Sequence, residues 1–123
     1  MTTDLPLTNA SLNQNVRTIA WSPLAENQAG AWAAFADFSD KTVHIFGVFN
    51  GATVTMQGSN DPLVLTTPDT AAAETLVDPQ GNTIAKLASN MSQILENPLY
   101  IRPNVTGGDG STAVSVIVSV RRN

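Results

Sequence analysis

The chain has 123 residues, a net charge of −4 and no cysteine. That length fits one domain with a real hydrophobic core. The charge excludes an electrostatic nucleic-acid binder, because Arg17, Lys41, Lys86, Arg102, Arg121 and Arg122 form no patch beyond the terminal pair, and the missing thiols exclude disulfides and thiolate chemistry.

Residues 1–15 are polar with no sustained period, and Leu5, Leu7 and Leu12 stand alone in a Thr/Asn/Gln background. A disordered terminus fits this stretch. So does an extended arm docked on a neighbouring subunit, since Pro6 holds the chain extended and its flanking leucines supply anchors. The folded domain is then residues 16–123. MTTDLPLTN has no basic region followed by an apolar one, so it does not read as a secretory signal. No apolar run approaches the ~20 residues that span a bilayer, so no membrane partner is expected.

Residues 16–21 (VRTIAW) read as a strand ended by Ser22-Pro23. A loop or single helical turn follows to Gly30. Residues 31–38 (AWAAFADF) fit either a short helix or a strand, and their aromatics favour the strand. The stretch 41–59, KTVHIFGVFNGATVTMQGS, carries two alternating runs that meet at Asn50-Gly51. An Asn-Gly pair between such runs predicts a hairpin with a type I′ turn, because both central residues need φ > 0. Its register would set Ile45 opposite Met56, Val43 opposite Gly58 and His44 opposite Gln57. Val43, Ile45, Phe49, Ala52, Val54 and Met56 fall on one face, the core. Thr42, His44, Phe46, Val48, Thr53, Thr55 and Gln57 fall on the other, where Phe46 and Val48 call for cover.

GSNDP turns the chain at 58–62, and 63–65 reads as a short strand before a loop over 66–73. Residues 74–77 and 83–87 read as paired strands joined by Asp78-Pro79-Gln80-Gly81, whose Asp, Pro and Gly fit a type I turn. SNMSQILE, residues 89–96, has a capping Ser or Asn, an apolar face of Met91, Ile94 and Leu95, and a stop at Asn97-Pro98, and so predicts a helix. Residues 99–105 (LYIRPNV) read as a strand with Leu99, Ile101 and Val105 inward and Tyr100, Arg102 and Asn104 outward. Pro103 marks an edge or bulge. Gly107-Gly108-Asp109-Gly110 is a turn. Residues 112–121 read as the last strand, with Val114, Val116, Val118 and Val120 on one face, paired antiparallel with 99–105. Six to eight short strands between turn signals predict an all-β sandwich or barrel.

Catalytic chemistry finds no residues to build on. His44 is the single histidine, and zinc lacks ligands without Cys or a second His. The acidic turns at Asn60-Asp61, Asp78 and Asp109 contain no calcium-loop pattern, and Asp there serves to bond nearby amides. Gly107-Gly108-x-Gly110 lacks the context of a phosphate loop. No enzyme, metal or cofactor is therefore expected. Trp21, Trp32 and Tyr100 suit stacking on sugar rings, and equally suit a core or a subunit contact. Charged residues make up 13% of the chain, against the usual ~25%, while 39 of the 123 residues are Ser, Thr, Asn or Gln. Low charge suits a β surface packed on neighbours, because charge at an interface centre is costly to desolvate; it equally suits a simple β domain.

The segments ATVTMQGSND, LVDPQGN and LYIRPNVTGGDGSTAVSVIVSVRR together resemble small structural proteins of tailed-bacteriophage particles, of the capsid cement or decoration type. The resemblance covers about residues 41–122. Its most specific part is Tyr100, Arg102, Pro103, Gly107, Gly108, Asp109 and Gly110. It implies an antiparallel β-sandwich of jelly-roll type, to which the residues read above add one short helix and an extended N-terminal arm. It implies a protein made in the host cytoplasm that binds the outside of the virion head shell, bridges major capsid protein subunits, and forms a homo-oligomer, a dimer or a trimer with the trimer favoured. The expected contacts are Leu5, Pro6, Leu7, Leu12, Trp21, Trp32, Phe46, Val48 and Tyr100. GSND and YIRP also look like galactose-binding or discoidin-type sandwiches, which implies the alternative of a carbohydrate-binding module on a tail or fibre. Those domains carry a Trp soon after GSND, where this chain has Pro62 and TTPDTAAA.

Overall fold

The computed structural model describes residues 5, 6, 8–13 and 15–122, with 8–13 described by backbone alone. Its nine strands are β1 (Thr8–Asn13), β2 (Val16–Leu24), β3 (Asp40–Val48), β4 (Thr53–Ser59), β5 (Glu74–Thr75), β6 (Ala85–Lys86), β7 (Asn90–Ile94), β8 (Tyr100–Thr106) and β9 (Ala113–Arg121). They form two antiparallel sheets. The larger has five strands in the order β1-β2-β9-β3-β7. In the smaller, β4 pairs with β8 along its whole length and with the short β5 and β6 on its opposite side.

The centre of the larger sheet is β9. Val114, Val116, Val118 and Val120 alternate inward and are fully buried, as period-2 patterning expects. Each buried valine contributes about 1.5–3 kcal/mol of apolar transfer. Ile19 and Trp21 from β2, Val43 and Ile45 from β3, and Ile94 from β7 join them. Val54, Met56, Ile101 and Val105 of the smaller sheet complete one buried cluster.

The turn at Asn50-Gly51 forms as expected, with φ of 47° and 88° and the Ala52 amide donating to the Phe49 carbonyl at 2.9 Å. The hairpin does not. β3 belongs to the larger sheet and β4 to the smaller, so the two runs do not pair with each other. The reason is competition for partners. β9 offers β3 nine paired residues, from Asp40↔Arg121 to Val48↔Ala113, and β8 offers β4 seven. The core face holds nonetheless, because Val43, Ile45, Phe49, Ala52, Val54 and Met56 are all buried.

The same competition overturns the pairing of 99–105 with 112–121. β8 goes to β4, β9 goes to β2 and β3, and the glycine turn carries the chain from one sheet to the other. Leu99 is exposed and Arg102 is buried, the reverse of the expected faces. Pro103 stands where its missing donor is tolerated. Alternate residues of β8 bond the irregular 28–33 segment, through Ala33 N to Ile101 O, Gly30 N to Pro103 O and Val105 N to Gln28 O, so the proline nitrogen faces no strand.

Four further expectations change. The predicted helix at 89–96 is strand β7, which closes the free edge of β3 from Lys41↔Ile94 to Ile45↔Asn90. Backbone pairing there outweighs a weak local helix preference in a stretch too short to be a helix alone. Residues 31–38 form no ladder beyond the Ala33↔Ile101 bridge, and 63–65 belong to the 3-10 turn Pro62–Leu65. Strand β2 runs through the cis Ser22-Pro23 bond to Leu24, with a register shift between Trp21 and Leu24. The Asp78 turn is as expected, with its Oδ1 accepting from Gln80 N and Asn82 N and with Val77 bridging Thr83.

The described part of the expected N-terminal arm lies on its own domain. β1 is the edge strand beside β2, and Leu5 exchanges backbone bonds with Ala29 and Ala31. Among the described residues no helix is long and apolar enough to cross a membrane.

Candidate functional site

The larger sheet has one face on the core and one open. The ladder registers arrange the open face in rows. One row crosses the strands as Ala20, Ile117, His44 and Met91. The next is Thr18, Ser119, Thr42 and Gln93. On the other side of the first row, Phe46 lies beside Ser115, whose hydroxyl meets that of Ser22 at 2.7 Å, and Val48 lies beside Ala113. The His44 and Phe46 rings pack together with centroids 4.8 Å apart. Met91 is 62% exposed and Val48 47%. Charge enters these rows at one end, where Asp40 pairs with Arg121 in the ladder. A shallow depression of about 650 Å³ runs over Thr42, His44, Met91, Ile117 and Ser119.

This surface can exclude water over apolar and hydroxyl groups, and its hydroxyls and amides can bond a partner. His44 stands opposite Ile117 and Met91 rather than Gln57, a consequence of the unmade hairpin. Among the described residues, no three His, Cys, Asp or Glu side chains gather as a metal site.

A second feature lies at the far sheet. Trp32, Tyr100, Leu65 and Pro68 line a cleft of about 290 Å³. The Arg102 guanidinium covers the Trp32 ring at 4.5 Å, and Trp32 Nε1 donates to Pro68 O at 3.3 Å. Arg102 is held in turn by Gln57 Oε1 at 2.9 Å and by Asp69 at 3.7 Å. A third feature is the open groove between residues 58–61, 72–76 and 96–98, about 660 Å³ in volume. Two of its carboxylates are engaged with backbone. Glu96 accepts from Val77 N at 2.9 Å, and Asp61 accepts from Leu63 N and Ala72 N at 3.0 Å each. Those amide bonds hold the Asp61 carboxyl below its ordinary pKa, against a smaller opposing effect of desolvation.

The expected contact residues do not converge. Trp21 is fully buried, with Nε1 donating to Ala31 O at 3.0 Å, so it is a core residue and neither a coat contact nor a sugar platform. Phe46 and Val48 sit on the open face of the larger sheet. Trp32 and Tyr100 share the cleft of the smaller sheet. Leu5 packs against the core cluster and Pro6 is exposed. Leu7 and the Leu12 side chain lie outside the described residues.

Sequence reasoning missed Lys41. It is 1% exposed, with Nζ donating to Phe38 O at 2.8 Å and to Asn97 Oδ1. Burial lowers its pKa, and the charges of Asp37 and Asp40 oppose that shift. The signal was present, since Lys41, Val43 and Ile45 share one side of the alternation.

No protein-family model matches the chain, and no curated protein or solved structure is significantly similar to it.

Proposed function

We propose that this protein is a virion structural protein. In this reading it is an antiparallel β-sandwich of jelly-roll type. It binds the outer surface of a phage head shell and bridges neighbouring major capsid subunits, as a homo-oligomer with a trimer favoured. The observation that carries the reading is the open face of the five-stranded sheet. Ala20, Ile117, His44, Met91, Phe46 and Val48, with the hydroxyls of Thr18, Thr42, Ser115 and Ser119 beside them, form an apolar and hydroxyl-bearing surface with charge at one end. Such a face works by burial, at about 25 cal/mol per Å² of apolar area. A modest contact then holds firmly when a symmetric shell repeats it. Phe46 and Val48 keep their assigned role in this reading, whereas Trp21 leaves it.

The placement of the N-terminal segment changes how the idea is tested. Deleting residues 1–15 would strip edge strand β1 and the Leu5 contacts, so loss of binding would not separate docking from folding. A density map of head particles carrying the protein is the appropriate experiment. The reading expects the chain on the outer shell with the β9-β3-β7 face against coat subunits; a particle without the chain, or one that turns this face to solvent, contradicts it.

A second reading, a carbohydrate-binding module of a tail or fibre, draws on the Trp32–Tyr100 cleft. Arg102 already covers one face of Trp32. Glycan-array binding that is lost in Tyr100→Ala would favour this reading over the first.

A further inference from the structure

We propose that Lys41 and Asn97 form an intramolecular isopeptide cross-link. Three observations meet at one place. First, the Lys41 side chain lies inside the protein, on the core side of β3 with Val43 and Ile45. Second, its Nζ touches the carboxamide of Asn97, a residue 56 positions later in the chain. The carboxamide is held in place on its other side, because its Nδ2 donates to Ala36 O at 2.7 Å, leaving Oδ1 facing the amine. Third, among the described residues no carboxylate lies within ion-pair distance of Nζ, so the amine rests on two neutral oxygens, Phe38 O and Asn97 Oδ1.

A buried ammonium without a counter-ion is disfavoured against the neutral amine, and burial here does lower the lysine pKa. The neutral amine is a nucleophile, and a fixed neighbour turns a bimolecular attack into an intramolecular one. The step balances as an aminolysis. The Nζ lone pair attacks Asn97 Cγ, the Cγ–Nδ2 bond breaks, and Nδ2 takes up the proton released from Nζ and leaves as ammonia. No oxidant or other reactant is consumed. The charges of Asp37 and Asp40 reach Nζ and partly oppose the lowering of its pKa. Asn97 is exposed, so ammonia leaves to solvent.

The bond would tie the start of β3 to the segment that leads from β7 of the larger sheet to β8 of the smaller. It would constrain the unfolded chain as a disulfide does, in a protein without cysteine. The inference is independent of the proposed virion role.

Intact-mass measurement on the purified, denatured full-length protein tests it. The expected result is a mass lower than the sequence requires by one ammonia molecule, with a branched proteolytic peptide joining the Lys41 and Asn97 segments. After denaturation, an amine-reactive label should modify Lys86 but not Lys41. The full sequence mass with a labelled Lys41 overturns the proposal. So does an ammonia deficit that maps elsewhere, such as to a succinimide at Asn50-Gly51. Both readouts come from the natural sequence, so neither depends on the folding of a variant.

Discussion

The two sheets are built on different terms. The larger one rests on long strands, two of which alternate regularly. β2, β3 and β9 each run nine residues; β3 and β9 bury alternate side chains, and β2 buries Ile19 and Trp21 before its register shifts to Leu24. The smaller sheet has two long strands, and its other members, β5 and β6, are two residues each. Between them the chain is held by carboxylates that bond backbone amides: Asp61, Asp78 and Glu96. One half is stabilised mainly by apolar burial, the other by apolar burial plus individual polar clamps. Losing one clamp should therefore loosen a loop, whereas losing one core side chain of the larger sheet should threaten the whole fold.

The largest expected effect is at Trp21, which is fully buried in the core cluster. Trp21→Ala removes the ring and its bond to Ala31 O, and should cost about 3–5 kcal/mol in a denaturant titration. A loss below 1 kcal/mol would show that the larger sheet does not carry the stability assigned to it. Next is Gly47 in β3, with φ of +125° and an ideal Cβ position only 2.5 Å from the Ala113 carbonyl oxygen. Gly47→Val should cost roughly 1–3 kcal/mol through backbone strain alone, read in the same titration. Unchanged stability would mean that β3 and β9 separate more easily there than their ladder implies.

A smaller, local effect is expected at Asp61. Asp61→Ala should speed hydrogen exchange at the Leu63 and Ala72 amides and leave the β9 amides protected. Uniform deprotection of both sheets would erase the distinction between them. The pH dependence has a definite sign. The folded carboxyl titrates below its ordinary value of 3.8, so its contribution is complete above that pH and is lost as pH falls through the lowered value. Exchange at those two amides, corrected for its intrinsic pH dependence, should rise in that acid window.

What could be read from the chain was local. The alternation of β9, β3 and β4 identified which side chains face the core, and Asn50-Gly51 and Asp78-Gly81 identified two turns. What could not be read was partnership. A strong turn signal says that the chain reverses, not that the flanking strands bond each other, and here two distant strands offered longer ladders. The segment 89–96 shows the same limit, since Ser89, Met91, Ile94 and Leu95 satisfy a helical pattern while the open edge of β3 makes a strand of it. The candidate face was legible in part. Phe46 and Val48 stood out as apolar residues on an outward side, but Ile117 and Met91 join them only through pairings formed far apart in the chain.

The central claim is that the open face of the five-stranded sheet holds the protein on a shell by burial. Ile117→Lys places a charge at the middle of that face, beside His44 and Ala20, and at a half-buried surface position it should alter folding stability by no more than about 0.5 kcal/mol. Co-sedimentation of this variant with purified head shells measures the claim directly. The account predicts that the natural protein pellets with shells while the folded variant stays in the supernatant. Equal pelleting of the two, or failure of the natural protein to pellet at all, would contradict it.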